Sequence, residues 1–279
     1  MRKIVCIGML LAGIALAFYP WISNVMYEKE AGSKIKAYER ESKKLSEEKY
    51  EEILREARVY NQNLAKAEVV LTDPFSEEKV KKYTGREYDA ILRLPGSDVM
   101  AYVEIPAIHV YLPVYHGTSG EVLEKGIGHL GASSVPVGGK ETHAVLTGHT
   151  GLNKAKLFTD LEKVKKKDQF YIHAAGKIIA YEVDGIFVVK PEDTSLLRIE
   201  KKKDLVTLLT CTPYGVNSHR LLVRGHQVPY EKERYKKEMQ KVRKTRWQRE
   251  YVKAWKEAVM IIICIKGITT IFQKFKLKV

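Results

Sequence analysis

Three side chains in this sequence carry chemistry that none of them could perform alone: a thiol, a guanidinium and an imidazole, each beside a short apolar run. Cys211 closes Thr207-Leu208-Leu209-Thr210, and Arg220 opens Leu221-Leu222-Val223. Pro213, Gly215 and Asn217 lie between them, so the pattern predicts two strands joined by a loop that begins at a thiol and ends at a cation. A thiolate is the nucleophilic form of cysteine, and its reference pKa of about 8.5 leaves little of it at neutral pH without help. Arg220 cannot act as a base. Its fixed charge and fork of donors suit it to hold an oxyanion or a carbonyl. The base must come from elsewhere, and His149 is the best candidate: Ala144-Val145-Leu146-Thr147 runs into Gly148-His149-Thr150-Gly151, which puts an imidazole at a strand end with backbone freedom on both sides.

The cysteine count sharpens this. Of three cysteines, Cys6 and Cys264 lie in apolar terminal segments, so the middle of the chain carries one thiol and no disulfide. A lone thiol is by default a small buried hydrophobe; its neighbours argue for reactivity here. His143 begins the run that His149 ends and is the weaker base. His219 points to the opposite strand face from Arg220, and Arg224 shares Arg220's face as an alternative cation.

The elements that must position these groups are mostly β. Eight short runs, 102–105, 110–114, 143–147, 170–173, 178–183, 186–189, 205–210 and 221–228, are rich in Val, Ile, Leu and Tyr and separated by turn signals. They predict a closed or nearly closed eight-stranded barrel. Residues 119–125 and 157–161 read as short helices within its loops.

The flanks differ. Residues 1–26 start with Arg2 and Lys3, then run apolar with no further charge, as in a signal peptide or an N-terminal membrane anchor; Ala15-Leu16-Ala17 offers a cleavage site. Residues 27–97 form a charged helical region in which Tyr50, Ile53, Leu54, Ala57, Asn61 and Leu64 recur at helical spacing. Residues 98–230 hold the barrel. Residues 231–257 carry eleven Lys or Arg against five acidic residues, with Trp247 and Trp255 interleaved, which suits a helix beside an anionic membrane surface. Residues 258–279 are a marginal membrane segment, interrupted by Lys266, with a basic tail. The formal charge of +14 fits membrane or wall polymers; with an exported domain, no nucleic acid is expected. The acidic residues show no metal-loop spacing, so neither metal nor cofactor is expected.

Leu146-Thr147-Gly148-His149, Thr207-Leu208-Leu209-Thr210-Cys211 and Asn217-Ser218-His219-Arg220-Leu221 resemble the three active-site motifs of the sortases, in that family's order. Cys211-Thr212-Pro213-Tyr214-Gly215-Val216-Asn217, Tyr115-His116-Gly117-Thr118, Gly128-His129-Leu130 and Leu157-Phe158-Thr159-Asp160-Leu161 are similar to the class C, pilus-assembling members. The resemblance implies the sortase barrel and a catalytic set of Cys211, His149 and Arg220. It implies cleavage of an LPxTG-like sorting signal through a thioester on Cys211, and transfer to a lysine amine of a pilin, at the outer side of the cell membrane. It also gives Asp73-Pro74-Phe75 a second meaning. Local physics makes Asp73 a helix cap, with Pro74 in the first turn and Glu77 and Glu78 favouring the dipole. In class C sortases such a tripeptide forms a lid, in which Asp73 would pair with Arg220 and Phe75 would cover Cys211. Thr150, Ser218 and Phe75 depart from the common class C residues, which bears on substrate choice and on the size of the cover. A sortase anchoring proteins to the cell wall, or a membrane-tethered scaffold without activity, are the alternatives.

Overall fold

The structure, a computed structural model, describes residues 2–67, 69, 71–75, 86–152, 154–240, 256–257, 259–261, 263–264 and 266–268. Glu77 and Glu78, the tryptophan-bearing stretch 241–255 and the basic tail 269–279 lie outside the described residues. The chain divides into two compact units, Met1–Tyr230 and Glu231–Val279. In the second unit residues 232–240 are helical, and the apolar helix Val259–Ile268 is shorter than the roughly 20 residues a span requires.

Eight strands close a barrel in the first unit: β1 (Val99–Ile105), β2 (Val110–His116), β3 (Ile127–His129), β4 (Thr142–Thr147), β5 (Gln169–Ala174), β6 (Lys177–Val189), β7 (Asp204–Thr212) and β8 (His219–Val228). Their order around the barrel is β1-β2-β3-β4-β7-β8-β6-β5. Closure leaves no edge strand with unpaired backbone groups. Pairs β2/β3 and β4/β7 are parallel and the others antiparallel.

The number of strands agrees with the sequence reading, but their makeup differs in two places. The runs 178–183 and 186–189 are one strand, β6. Asp184-Gly185 is a bulge between them, where the register to β8 shifts from Val183↔Gly225 to Gly185↔Arg224. A bulge and a turn share the Asp-Gly signature; here the Asp184 carboxylate binds Arg224 across the pair at 2.9 Å, and pairing continues. The eighth strand is instead β3, whose three residues are too few to show alternation. The helix expected at 157–161 is a series of turns leading to a 3-10 turn at Leu161–Lys163.

Helix α1 runs unbroken from Arg2 to Ser42, through Pro20 and across the change in composition at residue 26. Its first half is apolar and exposed. Its second half packs on the barrel through Ala31, Ile35 and Tyr38, all buried. The Tyr38 hydroxyl donates to Met100 O (3.1 Å) and accepts from Ala175 N–H (2.8 Å), so this large side chain is buried with its polar end satisfied. That explains why every residue of β1 is buried: the barrel core covers one face and α1 the other. Helix α2 (Glu47–Lys66) starts at Ser46, which caps Lys49 N–H, and buries Ile53, Leu54, Ala57 and Asn61, the stripe expected from spacing. Asn61 acts like a strand residue, accepting from Val135 N–H (2.8 Å) and donating to Val135 O (3.0 Å). The described residues of the unit also form two short helices, α3 (Arg86–Ala90) and α4 (Gly120–Lys125); the latter is the helix expected over 119–125, with Ser119 as its cap.

Candidate active site

Strand register brings the three candidates to one end of the barrel. In β7/β8, Cys211 pairs directly with Arg220, and Thr212 with His219, before the chain leaves the ladder at Pro213. Directly opposed residues of an antiparallel pair project from the same face. In the parallel pair β4/β7 the last partners are Thr147 and Leu209. Two further bonds carry the match onward: Gly148 N–H donates to Leu209 O (3.0 Å) and Thr210 Oγ1 donates to Gly148 O (2.6 Å). His149 therefore leaves β4 level with Cys211. Gly148 is required by packing, since a Cβ there would lie 2.6 Å from Ile127 Cδ1 and 2.9 Å from Phe158 Cδ2. The chain after His149 makes a loop that closes on itself, with Phe158 N–H donating to His149 O (3.1 Å).

Asp73 grips the guanidinium with both oxygens, Arg220 Nε to Oδ1 at 2.9 Å and Nη2 to Oδ2 at 2.8 Å. Both side chains are nearly buried, at 11% and 13% exposure, which makes this a shielded bidentate pair rather than a surface contact. Arg220 Nη1 donates to the carbonyls of Asn217 (3.0 Å) and His219 (3.1 Å). Beside Asp73, the Phe75 ring lies 5.5 Å from the His149 ring and 5.1 Å from Arg220 Cζ, between two of the three candidates. Pro74 is buried. Asp73 thus binds a cation across the site; the helix it would cap falls on residues 76–85, outside the described residues.

Electrostatics favour the neutral forms. Burial pushes the Cys211 thiol up; Arg220 draws it down, and the Asp73 carboxylate pushes it up again. Burial holds the His149 imidazole below its ordinary range, with Glu124 of α4 raising it and Lys154 lowering it. With Asp73 in place, both shifts run toward the neutral thiol and the neutral imidazole.

The secondary candidates are engaged elsewhere. His143 is buried with Nδ1 against Arg198 O and Nε2 against Thr207 Oγ1, both at 2.8 Å, and is pushed down to about 4 by burial. Arg224 is held by Asp184 and by Glu200 (3.0 Å) and stacks over Phe187. His219 pairs with Thr212 and contacts Ser218 Oγ. Sequence reasoning missed Glu124 and Lys154, whose ion pair at 2.7 Å lies beside the His149 loop. It also missed the grouping of Tyr88, His116 and His129, of which Tyr88 and His129 are buried. In that set the Tyr88 hydroxyl meets His129 Nδ1 at 2.8 Å and accepts from Gly117 N–H at 3.0 Å. Neither group has a local spacing that would announce it. Among the described residues, no three His, Cys, Asp or Glu side chains gather as a metal site.

A model of the sortase domain matches residues 103–228. The crystal structure of sortase C-1 from Streptococcus pneumoniae is 46% identical with a TM-score of 0.66, over 71% of this chain and 100% of that one. Sortase C1 of pilus island 1 of GBS is 42% identical with a TM-score of 0.64, over 72% and 94%. Sortase D of Bacillus subtilis strain 168 is 27% identical over 171 residues, 60% of this chain and 83% of its own length.

Proposed function

The chain belongs to the sortase family of cysteine transpeptidases, its structural neighbours being class C enzymes, and from that premise we propose that it joins pilin subunits through a thioester on Cys211. The observation that carries this reading is the direct pairing of Cys211 with Arg220, whose guanidinium is held by Asp73 at the end of the barrel where His149 emerges.

The thiol proton passes to His149 as Cys211 Sγ attacks the carbonyl carbon between Thr and Gly of an LPxTG-like sorting signal. Arg220 donates to the oxyanion that forms, and fixes the peptide relative to the sulfur. The C–N bond breaks and the imidazolium gives its proton to the departing amine. The thioester is then attacked by a lysine amine of the next pilin, which loses its proton to His149 as the C–S bond breaks and Cys211 is regenerated. The acceptor is supported by the class C neighbours, one of which belongs to a pilus island.

Asp73-Pro74-Phe75 is a lid in this scheme. Asp73 occupies Nε and Nη2, the two donors an oxyanion would use, so the resting site is closed electrostatically as well as sterically. Exposed apolar residues of α1 serve as the membrane anchor, with Arg2 and Lys3 inside and the barrel outside.

Mass spectrometry after mixing the protein with an LPxTG-type peptide tests the reading: a fragment in thioester linkage at Cys211 is expected, and none in Cys211→Ala. Pilin polymerisation by Cys211→Ala equal to the parent's would leave a scaffold role. Transfer of the thioester to a wall-precursor amine in preference to a pilin lysine would make the enzyme an anchoring sortase.

A further inference from the structure

The loop that follows His149 is held from outside by the helix that begins the chain. Its inner side is fixed in the core by Ala155, Leu157 and Phe158, all buried, and its ends meet where Phe158 N–H donates to His149 O. Gly151 N–H donates to Thr159 Oγ1 at 3.1 Å, a second tie across the base. The outer edge is bound by α1. Ser23 Oγ donates to Lys154 O (3.2 Å), and Asn24 Oδ1 accepts from Lys156 N–H (3.0 Å). Asn24 Nδ2 donates to Glu28 Oε1 (3.0 Å), which fixes the orientation of the amide. One turn on, the Tyr27 hydroxyl donates to Lys125 O at the end of α4 (2.9 Å), and Glu124 of α4 takes the Lys154 ammonium.

We propose that Asn24, with Ser23, is a positioning residue for His149: the first polar turn of α1 after its apolar stretch clamps the loop that sets where the imidazole stands. The inference rests on the reading of His149 as the proton carrier. Ser23 and Asn24 contact backbone atoms of Lys154 and Lys156, so they act on the loop's path rather than on any substrate. The placement has a consequence for the membrane segment. The residues that meet the loop directly continue the exposed apolar helix, so the anchor is also part of the frame of the site. Cleavage after Ala17 would leave both residues on the mature chain.

The full chain in detergent supplies the test, with kcat, KM and the pH profile for cleavage of a labelled LPxTG-type peptide. Asn24→Ala is expected to lower kcat about fivefold, equivalent to about 1 kcal/mol at 1.36 kcal/mol per decade, with little change in KM. Release of the loop also lets water reach the imidazole, so the acid limb of the profile moves up toward the ordinary histidine range; the charged groups facing it, Glu124 and Lys154, remain. Asn24→Asp combined with Glu28→Gln keeps an acceptor for Lys156 N–H and a neutral partner beside it, and is expected to restore kcat and the acid limb. Parent-like kcat and acid limb in Asn24→Ala overturn the clamp. Equal losses in Asn24→Ala and in the Asn24→Asp, Glu28→Gln double variant with an unmoved acid limb also overturn it, since they report a general structural role. Undiminished cleavage by His149→Ala would overturn the histidine assignment itself, separately from anything measured at Asn24.

Discussion

Cys211 and Arg220 are register partners across β7 and β8, so the sulfur and the guanidinium leave the same face of one ladder. Rigid strands, not loops, fix their separation, which would suit a cation that meets charge developing two bonds from the sulfur, on the oxygen of the attacked carbonyl. Arg220→Ala is expected to reduce kcat for sorting-peptide cleavage by roughly a hundredfold or more, the usual cost of an oxyanion donor. Arg220→Lys keeps the charge but loses the planar fork, and is expected to fall between the two. Steady-state kinetics on the three proteins decide it; Arg220→Ala within a few fold of the parent would remove the oxyanion role.

Asp73 neutralises the cation that would otherwise favour a thiolate at Cys211, and its charge raises the thiol. Asp73→Asn removes that charge while keeping the side chain's size. Alkylation of Cys211 by iodoacetamide is expected to speed up, and its pH midpoint to move downward, because Arg220 then acts on the sulfur unopposed. Alkylation profiles that coincide in mutant and parent would show that Asp73 does not govern the thiol.

Two buried imidazoles predict how stability depends on pH. Burial pushes His129 and His143 from 6.5 down to about 4. Both are neutral in the fold and would protonate in the unfolded chain near 6.5, so unfolding takes up protons between those values. Their contribution is full above about pH 6.5 and is lost as pH falls toward 4, on the order of 3 kcal/mol for each. The urea midpoint is expected to be flat above about pH 7 and to drop clearly by about pH 5; an unchanged midpoint at pH 5 contradicts the neutral assignment.

The barrel and the meeting of the three candidate side chains at one of its ends were legible because each candidate sits at the end of an apolar run, where sequence marks both the strand and its stop. Other features were hidden for physical reasons. Three residues cannot show alternation, so β3 left no trace. Asp184-Gly185 has the composition of a turn, and only pairing with Arg224 and Gly225 makes it a bulge. The change in composition at residue 26 is a change in what the helix surface carries, not a break in hydrogen bonding, and α1 passes through it. Asn24 meets Lys156, and Lys154 meets Glu124, across long stretches of chain; such pairs have no local spacing to read.

Gly148 joins β4 to His149 at a point where no side chain fits. In Gly148→Ala the new methyl would lie within 3 Å of Ile127 Cδ1 and Phe158 Cδ2, and neither neighbour can withdraw: both are fully buried. Overpacking of this kind costs about 1–3 kcal/mol. Because the displaced backbone carries His149, cleavage is expected to fall at temperatures where the variant remains folded. Ile127→Val removes the δ-methyl nearest the added carbon. By itself it should cost about 0.5–1.5 kcal/mol through the cavity it leaves, whereas on the Gly148→Ala background it should cost less or stabilise. Denaturant titrations of both single variants and the double variant measure that coupling, and simple additivity would show that the glycine is not held by this contact.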